Sequence, residues 1–204
     1  MGFHATLQAR ELVLTGEGGT LLTLPLDQGG RYRAVAPDVH GVEHMLAALE
    51  AVPGVSVLPA DGGLLNAMSV SANLSLALSY GVEADHVLVR DWEFALRHGF
   101  QMCGLPQERI RSIGREQPLQ LDRLERWLIG YVRYLLRPCE LLVLDRVFAG
   151  LSRRQVATLM TMESVYHAFH PFRPTLFVDL DTHGLPEILD CRATFALEAA
   201  ACPS

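Results

Sequence analysis

The feature that most restricts the fold of this chain is the alternation of short apolar runs with segments of helical period. Residues 55–58 and 141–144 are apolar stretches of strand length, and residues 175–180 form a further strand candidate. Residues 41–51 and 153–169 carry the apolar spacing of helices. Apolar runs without polar alternation are typical of strands buried on both faces of a sheet. The pattern therefore predicts an α/β protein with a mainly parallel sheet and helices on both faces.

The remaining segments predict a helical insertion in the middle of this sheet. Residues 12–36 contain short apolar runs separated by glycine pairs, which indicates strands joined by turns. Helices are predicted over 70–78 and 91–98, and residues 107–137 form a long amphipathic stretch rich in arginine. The apolar stripe of that stretch consists of Leu121, Leu124, Leu128 and Val132. Residues 186–190 predict a short helix and residues 193–197 a last strand.

These elements predict one domain over residues 1–204. Its core comprises approximately residues 1–66 and 138–204, and its helical subdomain approximately residues 67–137. No apolar run reaches the roughly 20 residues that a membrane-spanning helix needs, and the N-terminus has no signal-like apolar stretch. The four cysteines are scattered, as in a reduced cytosolic protein. A cytoplasmic location is expected.

The charged residues disfavour one class of partner and exclude one class of mechanism. The chain has 17 basic and 23 acidic residues and a formal net charge of -6, which disfavours nucleic acid as a partner because phosphate neutralisation needs a basic surface. Every basic residue is arginine, and the chain contains no lysine. No mechanism that requires a lysine can therefore operate here.

Four segments, in order along the chain, carry a resemblance to the nucleotide-binding subunit of ATP-binding-cassette (ABC) transporters. Residues 36–46 lie where that family has its P-loop, and residues 57–74 resemble its Q-loop region. Residues 141–152 are similar to the Walker B strand and D-loop, and residues 182–189 resemble the switch-histidine segment. The resemblance is closest to the subfamily that energises Mla-type phospholipid transport. It implies a P-loop NTPase-like fold.

The P-loop position lacks the groups that bind phosphate and magnesium. A P-loop uses glycines, a lysine that reaches the β- and γ-phosphates, and a hydroxyl that holds magnesium. By the resemblance, Val42 replaces the lysine and Glu43 replaces the hydroxyl, and a carboxylate in that position repels phosphate. The vestigial P-loop consists of Ala36, Pro37, Asp38, Val39, His40, Gly41, Val42, Glu43 and His44.

The other family positions have also changed. Ala60 stands at the Q-loop glutamine, and Arg146 replaces the Walker B glutamate, although arginine cannot act as a general base. Residues 121–125, near the expected signature motif, contain no glycine pair. No catalytic residue is therefore expected, and the vestiges of the catalytic set are Asp145, Arg146 and His183. No cofactor is expected, although weak binding of ATP with magnesium stays open.

The resemblance implies a structural or regulatory subunit of a membrane transport complex, peripheral to the inner face of the cell membrane. Its partners would be an integral-membrane permease and a second copy or another ABC ATPase, with no nucleic acid. The residues expected to contact the permease are Gly62, Leu64, Leu65 and Met68.

Two alternatives have a different basis. The chain could be a free-standing regulatory or scaffold protein with an ABC fold. The residues His40-Gly41-Val42-Glu43-His44 match the H-x-x-E-H pattern of inverted zinc proteases, in which two histidines bind zinc and the glutamate is the base. Because three fixed positions are a weak signal, the prediction is that the chain holds no metal.

Overall fold

The computed structural model describes residues 2–79, 91–137, 139–180 and 190–197. They pack as two compact units. The first, called the sheet unit, takes its residues from Met1–Val57, Cys139–Val147 and Pro171–Ser204. The second, called the helical unit, takes them from Leu58–Pro138 and Phe148–His170.

The sheet unit begins with a three-stranded antiparallel sheet of order β1-β2-β3. Tight turns join its strands, and that at Ala9-Arg10 is left-handed, with φ of 48° and 67°. One face is apolar, because Leu12, Leu14 and Leu22 are buried at alternate positions. The strands are β1 (His4–Gln8), β2 (Glu11–Gly16) and β3 (Gly19–Pro25). The sequence did not predict β1, which has mixed polarity and no apolar run.

A five-stranded sheet of order β5-β6-β7-β4-β8 follows. Strand β7 pairs in parallel with β4 and β6, and β4 pairs in parallel with β8. The predicted α/β fold with a mainly parallel sheet is therefore confirmed. Its strands are β4 (Arg31–Ala36), β5 (Val55–Leu58), β6 (Leu141–Asp145), β7 (Thr175–Leu180) and β8 (Ala193–Ala196).

Helix α1 (Val39–Glu50) joins β4 to β5 and fills the core of the sheet unit. Its side chains at Val42, Met45 and Leu49 are completely buried. They share one hydrophobic cluster with the apolar face of β2 and β3 and with one face of the parallel sheet. The 3.6-residue period of α1 places these residues on the same side, which is why the sequence predicted this helix correctly.

The helical unit is built around α5, whose Trp127, Leu128, Tyr131 and Val132 are completely buried. The long amphipathic stretch is not one helix, because Gly114 ends α4 and a short 3-10 helix starts at Pro118. The helices are α2 (Val70–Ser79), α3 (Trp92–Met102), α4 (Gln107–Ile113), α5 (Arg123–Leu136) and α6 (Arg153–Phe169). Within the described ranges, no helix combines the length and apolarity needed to span a membrane.

Candidate functional site

The P-loop position is a tight turn from strand to helix. Strand β4 ends at Ala36 and α1 begins at Val39, so only Pro37 and Asp38 connect them. Asp38 caps the helix, and its Oδ1 accepts a hydrogen bond from the Gly41 amide at 2.7 Å. A working P-loop instead offers its backbone N–H groups to phosphate at a helix N-terminus. Here the protein's own carboxylate occupies that place, and its negative charge opposes an anionic ligand.

The residue predicted to stand at the P-loop lysine position faces the interior. Val42 is completely buried and belongs to the hydrophobic cluster under the sheet. Gly41 is buried against Ala36, with 3.3 Å between an added Cβ and the Ala36 Cβ. The other residues of the segment are exposed to solvent, namely Pro37, Asp38, Val39, His40, Glu43 and His44. Val42 thus contributes to the core of the sheet unit, and the exposed residues of the segment surround the Asp38 cap.

The Walker B position is closed by an ion pair between neighbouring residues. Asp145 ends β6, and its carboxylate accepts hydrogen bonds from Arg146 Nε at 2.6 Å and Nη2 at 3.1 Å. The Asp145 side chain is only 7% exposed, so few other ligands can reach it. Hydrogen bonding to Asp145 raises the pKa of Arg146. The Arg146 guanidinium, which is always charged, therefore binds both carboxylate oxygens of Asp145, the group that the resemblance assigns to magnesium.

Backbone geometry directs Arg146 onto that carboxylate. Arg146 has φ of 45°, in the left-handed region that non-glycine residues rarely adopt. Its amide donates to the Val178 carbonyl of β7 at 2.9 Å, which fixes the turn. The left-handed turn and the bidentate pair are therefore parts of one local structure.

Two buried charges lie in the parallel sheet near this pair. Asp179 of β7 is 1% exposed and Arg33 of β4 is 5% exposed. Burial raises the pKa of Asp179, although a hydrogen bond from the Leu180 amide and the charge of Arg33 act in the opposite direction. Neither residue was predicted from the sequence. The available signal was a charged residue inside each of two strand-length runs.

The pKa shift of Asp179 predicts how stability depends on pH. Its pKa is above the ordinary value of 3.8, so the folded state binds this proton more tightly than the unfolded state. Stability from this group is therefore greatest at low pH and falls as pH rises through the folded pKa. Asp179→Asn is expected to leave the stability of the protein unchanged at about pH 3.5 and to increase it at about pH 7. Urea unfolding at both pH values measures this effect.

The exposed Asp190 provides the matched control, because Asp190→Asn makes the same chemical change in solvent. It is expected to leave the unfolding midpoint unchanged at both pH values. If Asp179→Asn were no more stable than the original protein at neutral pH, burial would not be destabilising the ionised form of Asp179.

The position of the signature motif is a capped helix start. Asp122 accepts from the Glu125 amide at 2.8 Å, and Glu125 accepts from the Asp122 amide at 3.2 Å. Glu125 also binds Arg109, with Nε–Oε1 at 2.6 Å and Nη2–Oε2 at 2.8 Å. Burial opposes the ionised form, but the bonds from Arg109 and Asp122 lower the pKa of Glu125. Carboxylates of the chain therefore occupy this helix N-terminus too.

The predicted permease-contacting residues are not equally accessible. Leu65 is 52% exposed, whereas Leu64 is 9% exposed and Met68 is half-buried. Gly62 is buried with φ of 89°, and an added Cβ would lie 2.8 Å from the Arg126 carbonyl oxygen. Ala60, at the Q-loop position, is half-buried. Leu65 is therefore the most exposed large apolar side chain of this segment, whereas Gly62 and Leu64 are buried.

Asn73 holds this segment in place. Its Oδ1 accepts from the Leu65 amide at 2.8 Å, and its Nδ2 lies 3.0 to 3.3 Å from the carbonyl oxygens of Leu65, Met68 and Ser69, which share its two N–H groups. Asn73 is 3% exposed. It belongs to the segment that resembles the Q-loop region, but no role was predicted for it. Only the structure shows that it organises the exposed Leu65.

The H-x-x-E-H residues lie on the first turns of α1. His40 Nδ1 is 3.6 Å from Glu43 Oε2, and these side chains are 86% and 57% exposed. His44 is also exposed. Across the part of the chain that the structure describes, no three His, Cys, Asp or Glu side chains converge as a metal site would require. His183, predicted as a vestigial switch histidine, lies outside the described residues, as do residues 182–189.

Comparison with known proteins identifies the fold. No family model and no curated protein matches the sequence. The dimeric bacterial ABC transporter cassette MJ0796 matches with a TM-score of 0.62 and 11% identity, covering 96% of this chain and 92% of its own. CbiO1 from Clostridium perfringens, part of the cbiONQ ABC transporter complex, matches with a TM-score of 0.62 and 10% identity over 96% and 85%. An ATP-binding subunit of an ABC transporter matches with a TM-score of 0.61 and 13% identity over 93% and 84%. The chain has the fold of an ABC-type ATP-binding cassette.

Proposed function

We propose that this chain is an ABC-cassette-like subunit that does not hydrolyse ATP. The observation that carries the proposal is the closed Asp145–Arg146 pair, because a bidentate guanidinium replaces both magnesium and the residue that activates water. Phosphoryl transfer needs a bound magnesium and several positioned groups acting together. The Asp38 and Asp122 caps add negative charge at the two helix starts that would otherwise face phosphate.

A phosphate-release assay with the purified chain and millimolar MgATP tests this proposal. We expect no release above that of a matched preparation of Asp145→Asn. That variant removes the last carboxylate of the Walker B position, so it reports any contaminating ATPase. Release by the original chain that disappears in Asp145→Asn would overturn the proposal.

The proposed cellular role is that of a cytoplasmic subunit docked on an integral-membrane permease, with lipids as the transported class. Two observations on similar structures support an assembly: MJ0796 is dimeric, and cbiO1 is part of a transporter complex. Dimerisation with a second copy or another ABC ATPase is proposed on the same basis. The lipid assignment depends on the resemblance to Mla-type subunits, and Leu65 is the proposed apolar contact.

Co-purification from detergent-solubilised membranes tests the docking role. The permease is expected to be retained by the original chain and lost with Leu65→Asp. Leu119→Asp is the matched control, because Leu119 is an equally apolar exposed residue of the helical unit at 70% exposure. Loss of the permease with both variants, or with neither, would contradict docking through Leu65. A chain that brings down no membrane protein would favour the free-standing regulator with an ABC fold.

A further inference from the structure

A cavity of about 510 Å³ opens on the sheet unit, away from the vestigial nucleotide site. Glu140 directly precedes β6, and Arg173 lies two residues before β7, so the cavity is at the amino ends of these strands. Asp145 is at the opposite end of β6, which has five residues. The two ends of that strand are about 15 Å apart. The cavity is therefore separate from the Walker B position.

The cavity presents charges of both signs. Two arginines, Arg10 and Arg173, and two acidic residues, Asp27 and Glu140, line it. Among the described residues, none of these four side chains takes part in a hydrogen bond or an ion pair. Opposite charges that share a cavity without pairing are free to bind the opposite charges of a ligand. The arrangement suits a molecule that carries one anionic and one cationic group.

An apolar surface lies beside these charges. Phe172 is 70% exposed and Leu7 is 39% exposed, and both line the cavity. Phe172 is held by its backbone, because Gly29 packs so closely on Pro171 that an added Cβ would lie 3.3 Å from the Phe172 Cα. Arg10 is presented by the left-handed turn after β1. Left-handed backbone at a non-glycine residue such as Arg10 costs energy and is found more often at functional sites.

We propose that this cavity binds a free amino acid with a large apolar side chain. The arginines would hold its carboxylate, Asp27 and Glu140 its ammonium group, and Phe172 with Leu7 its side chain. The volume lies within the range of small-molecule sites, which is roughly 300–1,000 Å³. This proposal does not depend on the proposed transport role, because it uses none of the same residues.

Isothermal titration calorimetry with L-phenylalanine and three analogues tests the ligand class. Phenethylamine lacks the carboxylate, 3-phenylpropionate lacks the ammonium group, and glycine lacks the side chain. We expect saturable binding of L-phenylalanine in the millimolar range or tighter, and at least about tenfold weaker binding of each analogue. The proposal is overturned if L-phenylalanine shows no saturable binding, or if an analogue binds equally well.

Variants place the binding in this cavity. Arg173→Met and Phe172→Ala are each expected to weaken L-phenylalanine binding by at least about tenfold. The controls lie at exposed positions of the helical unit: Arg97→Met makes the same change as Arg173→Met, and Leu119→Ala likewise truncates a large exposed apolar side chain to alanine. They are expected to bind as the original protein does. Thermal unfolding confirms that each variant is folded. Equal binding by the cavity variants and their controls would overturn the assignment.

Discussion

Replacing Gly29 with alanine is expected to lower the free energy of unfolding by about 3 kcal/mol or more. Gly29 has φ of 60°, which is unfavourable for any residue with a Cβ. The added Cβ would lie 2.0 Å from the Pro171 carbonyl oxygen and 3.0 Å from its carbonyl carbon. Because both atoms belong to the backbone, no rotamer change relieves the clash. The segment before β7 must therefore move.

Urea unfolding of Gly29→Ala and Gly18→Ala measures this effect. Gly18 is the matched control, because an added Cβ there meets nothing within 4 Å. Its substitution is expected to change stability by no more than about 0.5 kcal/mol. Equal midpoints for the two variants would mean that the contact between Gly29 and Pro171 does not exist in solution.

Replacing Asn73 with alanine is expected to cost about 3 kcal/mol and to release the Leu65 segment. The substitution removes the hydrogen bond that Asn73 Oδ1 accepts from Leu65 and those that its two Nδ2 hydrogens share among the carbonyls of Leu65, Met68 and Ser69. The Leu65 amide loses its acceptor and is left unpaired, whereas the carbonyls of Leu65 and Ser69 keep the backbone donors of Met68 and Asn73. Hydrogen exchange of the Leu65 amide is expected to accelerate, because Asn73 Oδ1 is its acceptor.

Asn66→Ala is the matched control for this variant, since Asn66 belongs to the same segment but is exposed to solvent. It is expected to leave both the unfolding midpoint and the exchange of Leu65 unchanged. If Asn73→Ala also left Leu65 protected, Asn73 would not be the residue that organises this segment.

The fold was predictable where apolar pattern and local geometry agree. Residues 141–144 are uniformly apolar, which predicted a strand buried on both faces, and the spacing of Val42, Met45 and Leu49 predicted α1. Strand β1 was not predictable in this way, because hydrogen bonds to β2 and not an apolar run define it. Residues 107–137 are divided into two helices at Gly114 and Pro118. The sequence did not predict this division, because the apolar stripe indicated one amphipathic stretch.

At the candidate site, the identity of the residues could be read from the sequence, but their hydrogen bonds and ion pairs could not. The absence of lysine and the identity of Val42 could be read directly from the sequence. Asp38 caps α1 because the helix starts at Val39, and this start follows from the two-residue connection of Pro37 and Asp38 after β4. The pairing of Arg146 with Asp145 requires a left-handed backbone that non-glycine residues seldom adopt. The buried charges Arg33 and Asp179 required knowledge of strand register.

The most direct test of the central claim is equilibrium binding of ATP to the purified chain, with and without magnesium. The Asp145–Arg146 pair and the Asp38 cap predict no saturable binding at physiological ATP and no effect of magnesium. Saturable, magnesium-dependent binding that is lost in Asp145→Asn would contradict the claim that the Arg146 guanidinium and the Asp38 carboxylate take the places of magnesium and phosphate in this cassette.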